Sequence, residues 1–148
     1  MRTTDDLLTC ASIAAMGVFT AVPTLNAEIS AWKRGYRHVA GVDEAGCGPL
    51  AGPVVAGAVI LDPQFAQRWW CELRDSKMLG FDQRTRLAAI IRDNCAWGVG
   101  IASHQYIDTN GLTAARKSAM RQAVAGLPCV PDMLGSVKRT QRKHQPSC

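Results

Sequence analysis

Residues 38–61 read HVAGVDEAGCGPLAGPVVAGAVIL, and this stretch decides the fold. Residues 38–43 mix β-branched and small side chains, which predicts a first strand. Residues 53–61 are a near-continuous apolar run whose length and β-branched content favour a buried strand over a helix. Between them, 44–52 hold three glycines and a proline, the chemistry of a loop. A nine-residue link is too short for a helical crossover, so the two strands should run antiparallel.

Beyond this hairpin, residues 83–93 predict a helix capped by Asp82, with Leu87, Ile90 and Ile91 on one apolar face. Residues 95–102, CAWGVGIA, alternate as a strand does. Cys95, Trp97, Val99 and Ile101 share one face; Ala96, Gly98, Gly100 and Ala102 share the other, whose small size allows close approach of a neighbouring element. A helix over 112–126 carries Leu112, Ala115, Ala119, Ala123 and Leu127 on one stripe, and Pro128 and Pro131 close it. The order strand, strand, helix, strand, helix, with a strand expected next, predicts an α/β domain built on a mixed sheet.

On the N-terminal side, residues 4–16 can form an amphipathic helix and 28–34 a short helical turn. The apolar run 11–22 is too short to span a bilayer. Asp5 and Asp6 precede it against a single Arg2, the wrong charge for a secretory leader.

The chain has 148 residues, 47% hydrophobic and 20% charged, the composition of one globular domain rather than of a disordered segment. Its net charge of +5 is a property of one end: residues 138–148 hold four of the 17 lysines and arginines and no acid, leaving 13 basic against 12 acidic residues elsewhere. Such an end reads as a solvated tail or as a holder of phosphates. The six cysteines, at 10, 47, 71, 95, 129 and 148, include no Cys-x-x-Cys pair, which argues against a zinc knuckle. The set reads as reduced thiols of a cytoplasmic chain.

Asp43 and Glu44 are the sharpest chemical feature. Adjacent carboxylates suit hard cations such as Mg²⁺ and Mn²⁺. Successive strand residues point to opposite faces, so for both to serve one cation the strand must end or bend here, which Ala45 and Gly46 permit. On spacing alone the pair reads equally as two acids facing water. Gly46, Cys47 and Gly48 follow; glycines let backbone N–H groups approach a phosphate or a sugar hydroxyl, although most such loops are turns. Ser76 and Lys77 suit a phosphate oxygen, or form an ordinary surface turn. His38, His104 and His144 are scattered and support no nucleophilic triad.

Together these pieces resemble the ribonuclease HII family. Ala40-Gly41-Val42-Asp43-Glu44-Ala45-Gly46-Cys47-Gly48-Pro49-Leu50-Ala51-Gly52-Pro53-Val54 is similar to its first signature, Asp75-Ser76-Lys77-Met78-Leu79 to its second, and Ile107-Asp108, Asn110 and the helix through Ala119 and Met120 to Leu127 to its third. The resemblance spans 36–132 and implies an RNase H-like mixed sheet flanked by helices, incomplete on its C-terminal side. It divides the chain into an N-terminal extension (1–35), a partial ribonuclease HII domain (36–132) and a basic divergent tail (133–148) expected to be disordered.

The same resemblance implies a metal-dependent endonuclease that cuts RNA in RNA–DNA hybrids or beside ribonucleotides embedded in duplex DNA. Four carboxylates hold Mn²⁺ or Mg²⁺ in that family, and Asp43 and Glu44 match the first two. The loop at Gly46, Cys47 and Gly48 would meet the ribose 2′-hydroxyl, the group that separates RNA from DNA, and Ser76 and Lys77 would lie near phosphates. Cys47 stands where the family usually has a basic residue. Asp132 matches the polar residue before a strand that ends in the third carboxylate, and neither that carboxylate nor the fourth has a counterpart. The expectation is a monomeric product with an unpaired sheet edge and impaired or lost activity. Its alternatives are a site completed by Asp108, Asp132 or a partner chain, and a non-catalytic nucleic-acid binder using the basic tail.

Overall fold

A computed structural model describes residues 25–45, 47, 51–61, 69 and 72–136. Helix α1 (Asn26–Lys33) leads into β1 (Val39–Ala45) and β2 (Val54–Ile60). A single 3₁₀ turn (Ser76–Met78) precedes α2 (Phe81–Asn94), followed by β3 (Ala96–Ala102), α3 (His104–Asn110), α4 (Leu112–Ala125) and β4 (Met133–Ser136). The strands form one sheet in the order β3-β2-β1-β4. β1 and β2 are antiparallel, as the short link between them requires; β2 and β3 are antiparallel, and β4 runs parallel to β1. β1, β3 and β4 therefore all point their carboxyl ends to the same edge. The result is the expected mixed α/β sheet.

The core is unusual in its smallness. The stripe Ala115, Ala119 and Ala123 of α4 is fully buried against Val54, Ala56, Ala58 and Ala102. Gly98 and Gly100 explain how the helix comes so close. A Cβ on Gly100 would lie 2.0 Å from the Ala119 carbonyl oxygen, and one on Gly98 would lie 2.2 Å from that of Ala123. The small face of β3 thus takes the helix, as its pattern suggests, and Gln122 adds a clasp by accepting the Ile101 N–H at 3.2 Å. Leu112, expected on the buried stripe, is 43% exposed, because it opens the helix ahead of the contact with the sheet.

The opposite face carries the larger side chains. Trp97, Val99 and Ile101 are 42%, 49% and 55% exposed. A second cluster forms around Trp69 and Leu87, with Trp32, Leu61, Leu79, Ile90, Ile91 and Cys95 packed against it. Leu61 and Cys95 lie just outside β2 and β3, so this cluster occupies the end of the sheet opposite the carboxyl ends of β1, β3 and β4.

Three expectations need correction. Asp82 does not cap α2: Gly80 holds the cap position, and its N–H donates to Gln83 Oε1 at 3.2 Å. Residues 104–110 form a helix that the pattern of apolar residues did not announce, with Ser103 Oγ accepting the Tyr106 N–H at 3.2 Å; Gly111, at φ +80°, takes the left-handed turn into α4. Residues 133–136, assigned to a divergent tail, are β4, so the edge of β1 is paired over this length. The physical reason is Asp132, whose carboxylate accepts N–H bonds from Arg37 at 2.7 Å and His38 at 3.0 Å and sets the register of β4 on β1. Residues 1–24 and 137–148, including the proposed helix at 4–16 and the basic tail, lie outside the described residues. Among the described residues no helix is long and apolar enough to cross a membrane.

Candidate active site

Asp43 and Glu44 occupy the last turn of the pleat before β1 ends at Ala45. The strand does not stop or bend at the pair: Asp43 faces Gly57, Glu44 faces Ala56, and pairing continues to Ala45 opposite Val55. The two carboxylates consequently emerge on opposite faces of the sheet. Glu44 shares the helix-covered face with Ala40 and Val42, and its side chain is only 14% exposed. There it forms an ion pair with Arg116 of α4, whose Nη2 donates to Oε1. Asp43 stands on the open face, exposed, and among the described residues its Oδ1 accepts the N–H of Glu44, at 2.9 Å. Gly41 and Gly57 flank it on that face, and a Cβ at either would meet nothing within 4 Å. Among the described residues the floor beside Asp43 is thus bare backbone.

Of the other residues singled out above, Cys47 is an exposed free thiol, and Gly46 and Gly48 lie outside the described residues. Ser76 and Lys77 sit in the 3₁₀ turn, where the Asp75 carboxylate accepts the Lys77 N–H at 3.0 Å. Arg84 of α2 ties this turn down by donating to the carbonyls of Ser76, at 3.1 Å, and Leu79, at 2.6 Å. No hydrogen bond or ion pair among the described residues joins Ser76 or Lys77 to Asp43 or Glu44.

Neither proposed substitute carboxylate completes the pair. Asp132 is committed to the start of β1, which lies about 17 Å from Asp43 at the rise of an extended strand. The Arg37 N–H, and then the His38 N–H, hold its carboxyl below the ordinary value of 3.8. Asp108 is exposed on α3. Among the described residues no three His, Cys, Asp or Glu side chains come together as a metal-holding group. A hard dication takes about six oxygen ligands. One free carboxylate on the open face and a second bound to a guanidinium on the other do not fit it in this arrangement. Arg116, the ion-pair partner of Glu44, is the residue at this pair that the sequence alone did not single out. It lies 72 positions from Glu44, and only the burial of its neighbour Ala115 brings it to β1.

Residues 40–146 match the family model for ribonuclease HII. The chain belongs to the ribonuclease HII family. The ribonuclease HII of Dehalococcoides mccartyi is 46% identical over 104 residues, covering 70% of this chain and 49% of the relative. That of Acetivibrio thermocellus is 48% identical over 110 residues, covering 72% of this chain and 41% of the relative. The crystal structure of ribonuclease H2 from Pyrococcus horikoshii OT3 superimposes with a TM-score of 0.58 at 29% identity, covering 66% of this chain and 48% of the other. The sheet and its helices are therefore the RNase H-like fold of ribonuclease HII. The chain spans about half the length of the curated ribonucleases HII it matches. The matched region extends through β4 and past residue 132, where the resemblance by motif stops.

Proposed function

We propose that this chain provides the acidic, substrate-facing part of a ribonuclease HII-type endonuclease, which hydrolyses RNA in RNA–DNA hybrids or at ribonucleotides embedded in duplex DNA. The single observation carrying this reading is the position of the acidic pair. Within a region that matches the family, Asp43 and Glu44 lie at the edge where three strands converge by their carboxyl ends, the usual place for a site on a sheet with parallel strands. The bare floor at Gly41 and Gly57 supports approach of a polynucleotide backbone to Asp43.

In this reading Asp43 and Glu44 would hold Mn²⁺ or Mg²⁺ only in an arrangement other than the one described, with Glu44 released from Arg116 and both carboxylates brought to one face. Gly46, Cys47 and Gly48 meet the ribose and its neighbouring backbone. Cys47 brings no cation to that contact, which weakens the hold on phosphate. Ser76 and Lys77 serve a more distant phosphate, held in place through α2. With two carboxylates on opposite faces, activity is expected to be low.

A second reading, a nucleic-acid binder without catalysis that relies on the basic residues 138–148, is favoured by the lack of a third carboxylate beside the pair among the described residues. The test is cleavage of duplex DNA containing one ribonucleotide, with and without Mn²⁺, by the chain and by Asp43→Asn. Cutting at the ribonucleotide that falls by roughly a hundredfold or more in the variant, beyond the loss usual for an outer-shell partner, supports the nuclease. Equal cutting by both proteins sinks it. No cutting, together with gel-shift binding that disappears on deletion of 138–148, supports the binder.

A further inference from the structure

We propose that Arg84 is a positioning residue for nucleic acid: it fixes the turn Ser76–Met78 so that the Ser76 hydroxyl and the Lys77 ammonium are held in place for one phosphate. This rests on the reading of Ser76 and Lys77 as phosphate contacts and adds the residue that sets where they stand. A single nitrogen of Arg84, Nη1, donates to two carbonyls, that of Ser76 at 3.1 Å and that of Leu79 at 2.6 Å. The two carbonyls bracket the turn. At its start the Asp75 carboxylate accepts the Lys77 N–H at 3.0 Å, and the Asp75 carbonyl accepts the Met78 N–H at 2.8 Å. The backbone is thus tied from both ends. The side chains of Ser76 and Lys77 are exposed and have no hydrogen bond or ion pair among the described residues.

The needs of α2 do not explain an arginine at this position. Residue 84 lies near the start of the helix, where the macrodipole favours acids such as Asp82 and disfavours a cation. It is also the position at which an apolar side chain commonly packs on the residue before the cap. That residue is Leu79, which packs instead on the cluster around Trp69 and Leu87. Arg84 therefore suits neither the dipole nor the core, and its planar fork of donors is used on carbonyls of the turn. Leu79 anchors one end of the turn in apolar contacts, and Asp75 and Arg84 fix the rest. Hydrogen bonds as exposed as these add little to global stability. Their effect is local: a lysine carried on a turn that is already ordered loses less freedom when it meets a phosphate.

Binding of duplex DNA carrying one ribonucleotide to the full chain, followed by fluorescence anisotropy over a range of salt and without divalent ions, tests this together with thermal melting. Lys77→Ala should weaken binding roughly tenfold near ~0.1 M salt and lower the salt slope by about 1, the loss of one phosphate contact. Arg84→Ala should have nearly the same effect on affinity and slope, with only a small fall in melting temperature, because Lys77 is then no longer held at its phosphate. Adding Arg84→Ala to Lys77→Ala should cost less than about twofold more, since the two act through one contact. Arg84→Lys, whose ammonium can serve both carbonyls, should recover most of the affinity. Asp75→Ala should also weaken binding, although removing a negative charge would by itself strengthen it.

Losses that add, with the slope of the double variant lower by about 2, show Arg84 meeting a phosphate of its own and overturn the proposal. So does an Arg84→Ala chain that binds as the parent does while Lys77→Ala does not, and this outcome leaves the phosphate reading standing. If Arg84→Ala does not fold, Asp75→Ala decides alone: weaker binding supports a tethered turn, and binding as tight as the parent's or tighter shows that no tether is needed. If Lys77→Ala binds as well as the parent, or the parent does not bind the duplex, the phosphate reading falls and this proposal falls with it.

Discussion

The two faces of the sheet obey opposite rules. On the covered face, glycine and alanine admit α4 until helix backbone and strand backbone nearly touch. On the other, Trp97, Val99 and Ile101 stand out with no such partner along α4. Hydropathy alone would bury the tryptophan face and leave the glycines outside. What decides is the distance of approach: an alanine stripe on a helix can use its short side chains only against a surface equally short, and dispersion contacts then come from backbone atoms. The same division separates the acid pair, sending Glu44 under the helix to Arg116 and Asp43 into the open.

Matched substitutions on the two faces break or sharpen this contrast. Gly100→Ala should have the largest effect. Its Cβ would meet the Ala119 carbonyl oxygen at 2.0 Å and the Ala123 nitrogen at 2.6 Å, both backbone atoms of a packed helix. Chemical denaturation should show a loss of about 3 kcal/mol or more, at or beyond the upper range for overpacking. A loss below about 1 kcal/mol would mean that α4 is not seated as described.

Asp132→Asn should come next, because it tests the edge strand independently of either face. The amide leaves one acceptor for two N–H groups, so β4 loosens and the melting temperature falls at neutral pH. The folded carboxyl is lowered from 3.8, so its stabilisation is present above that value and is lost as pH falls through the lowered one. The gap between the two proteins should therefore close in acid below about pH 4. A gap that persists unchanged there would rule out the carboxylate clamp.

The smallest effects belong to the open face. Gly57→Ala meets nothing within 4 Å, and with Val99→Thr it should stay within about 0.5 kcal/mol of the parent. If Gly57→Ala proves as damaging as Gly100→Ala, the asymmetry of the sheet is wrong.

Much of this was legible in the residues themselves. The alternation of 95–102 marked a strand with one small face, and the spacing of Ala115, Ala119 and Ala123 marked the helix that fits it. The short link between the first strands dictated their antiparallel pairing. α3 was not legible, because seven residues with a serine cap carry too little apolar period to stand out from a loop. That a strand follows α4 was legible from the order of elements, but its position was not: Met133, Leu134, Gly135 and Ser136 have no strong strand character, and their pairing depends on a carboxylate fixed to the far end of β1.

The candidate site divides in the same way. The motif around Asp43 and Glu44 identified the family and the chemistry that carboxylates favour, since those depend on residue types and on order along the chain. Which carboxylate is free could not be read from it. That depends on whether β1 continues through the pair and on which side chain of α4 lies over Glu44, a contact between residues 72 apart. Local sequence specifies pleat, period and motif because these act between near neighbours. The choice of the face that α4 covers, the docking of β4 and the pairing of Glu44 with Arg116 arise only when distant segments are brought within contact distance, and packing alone does that.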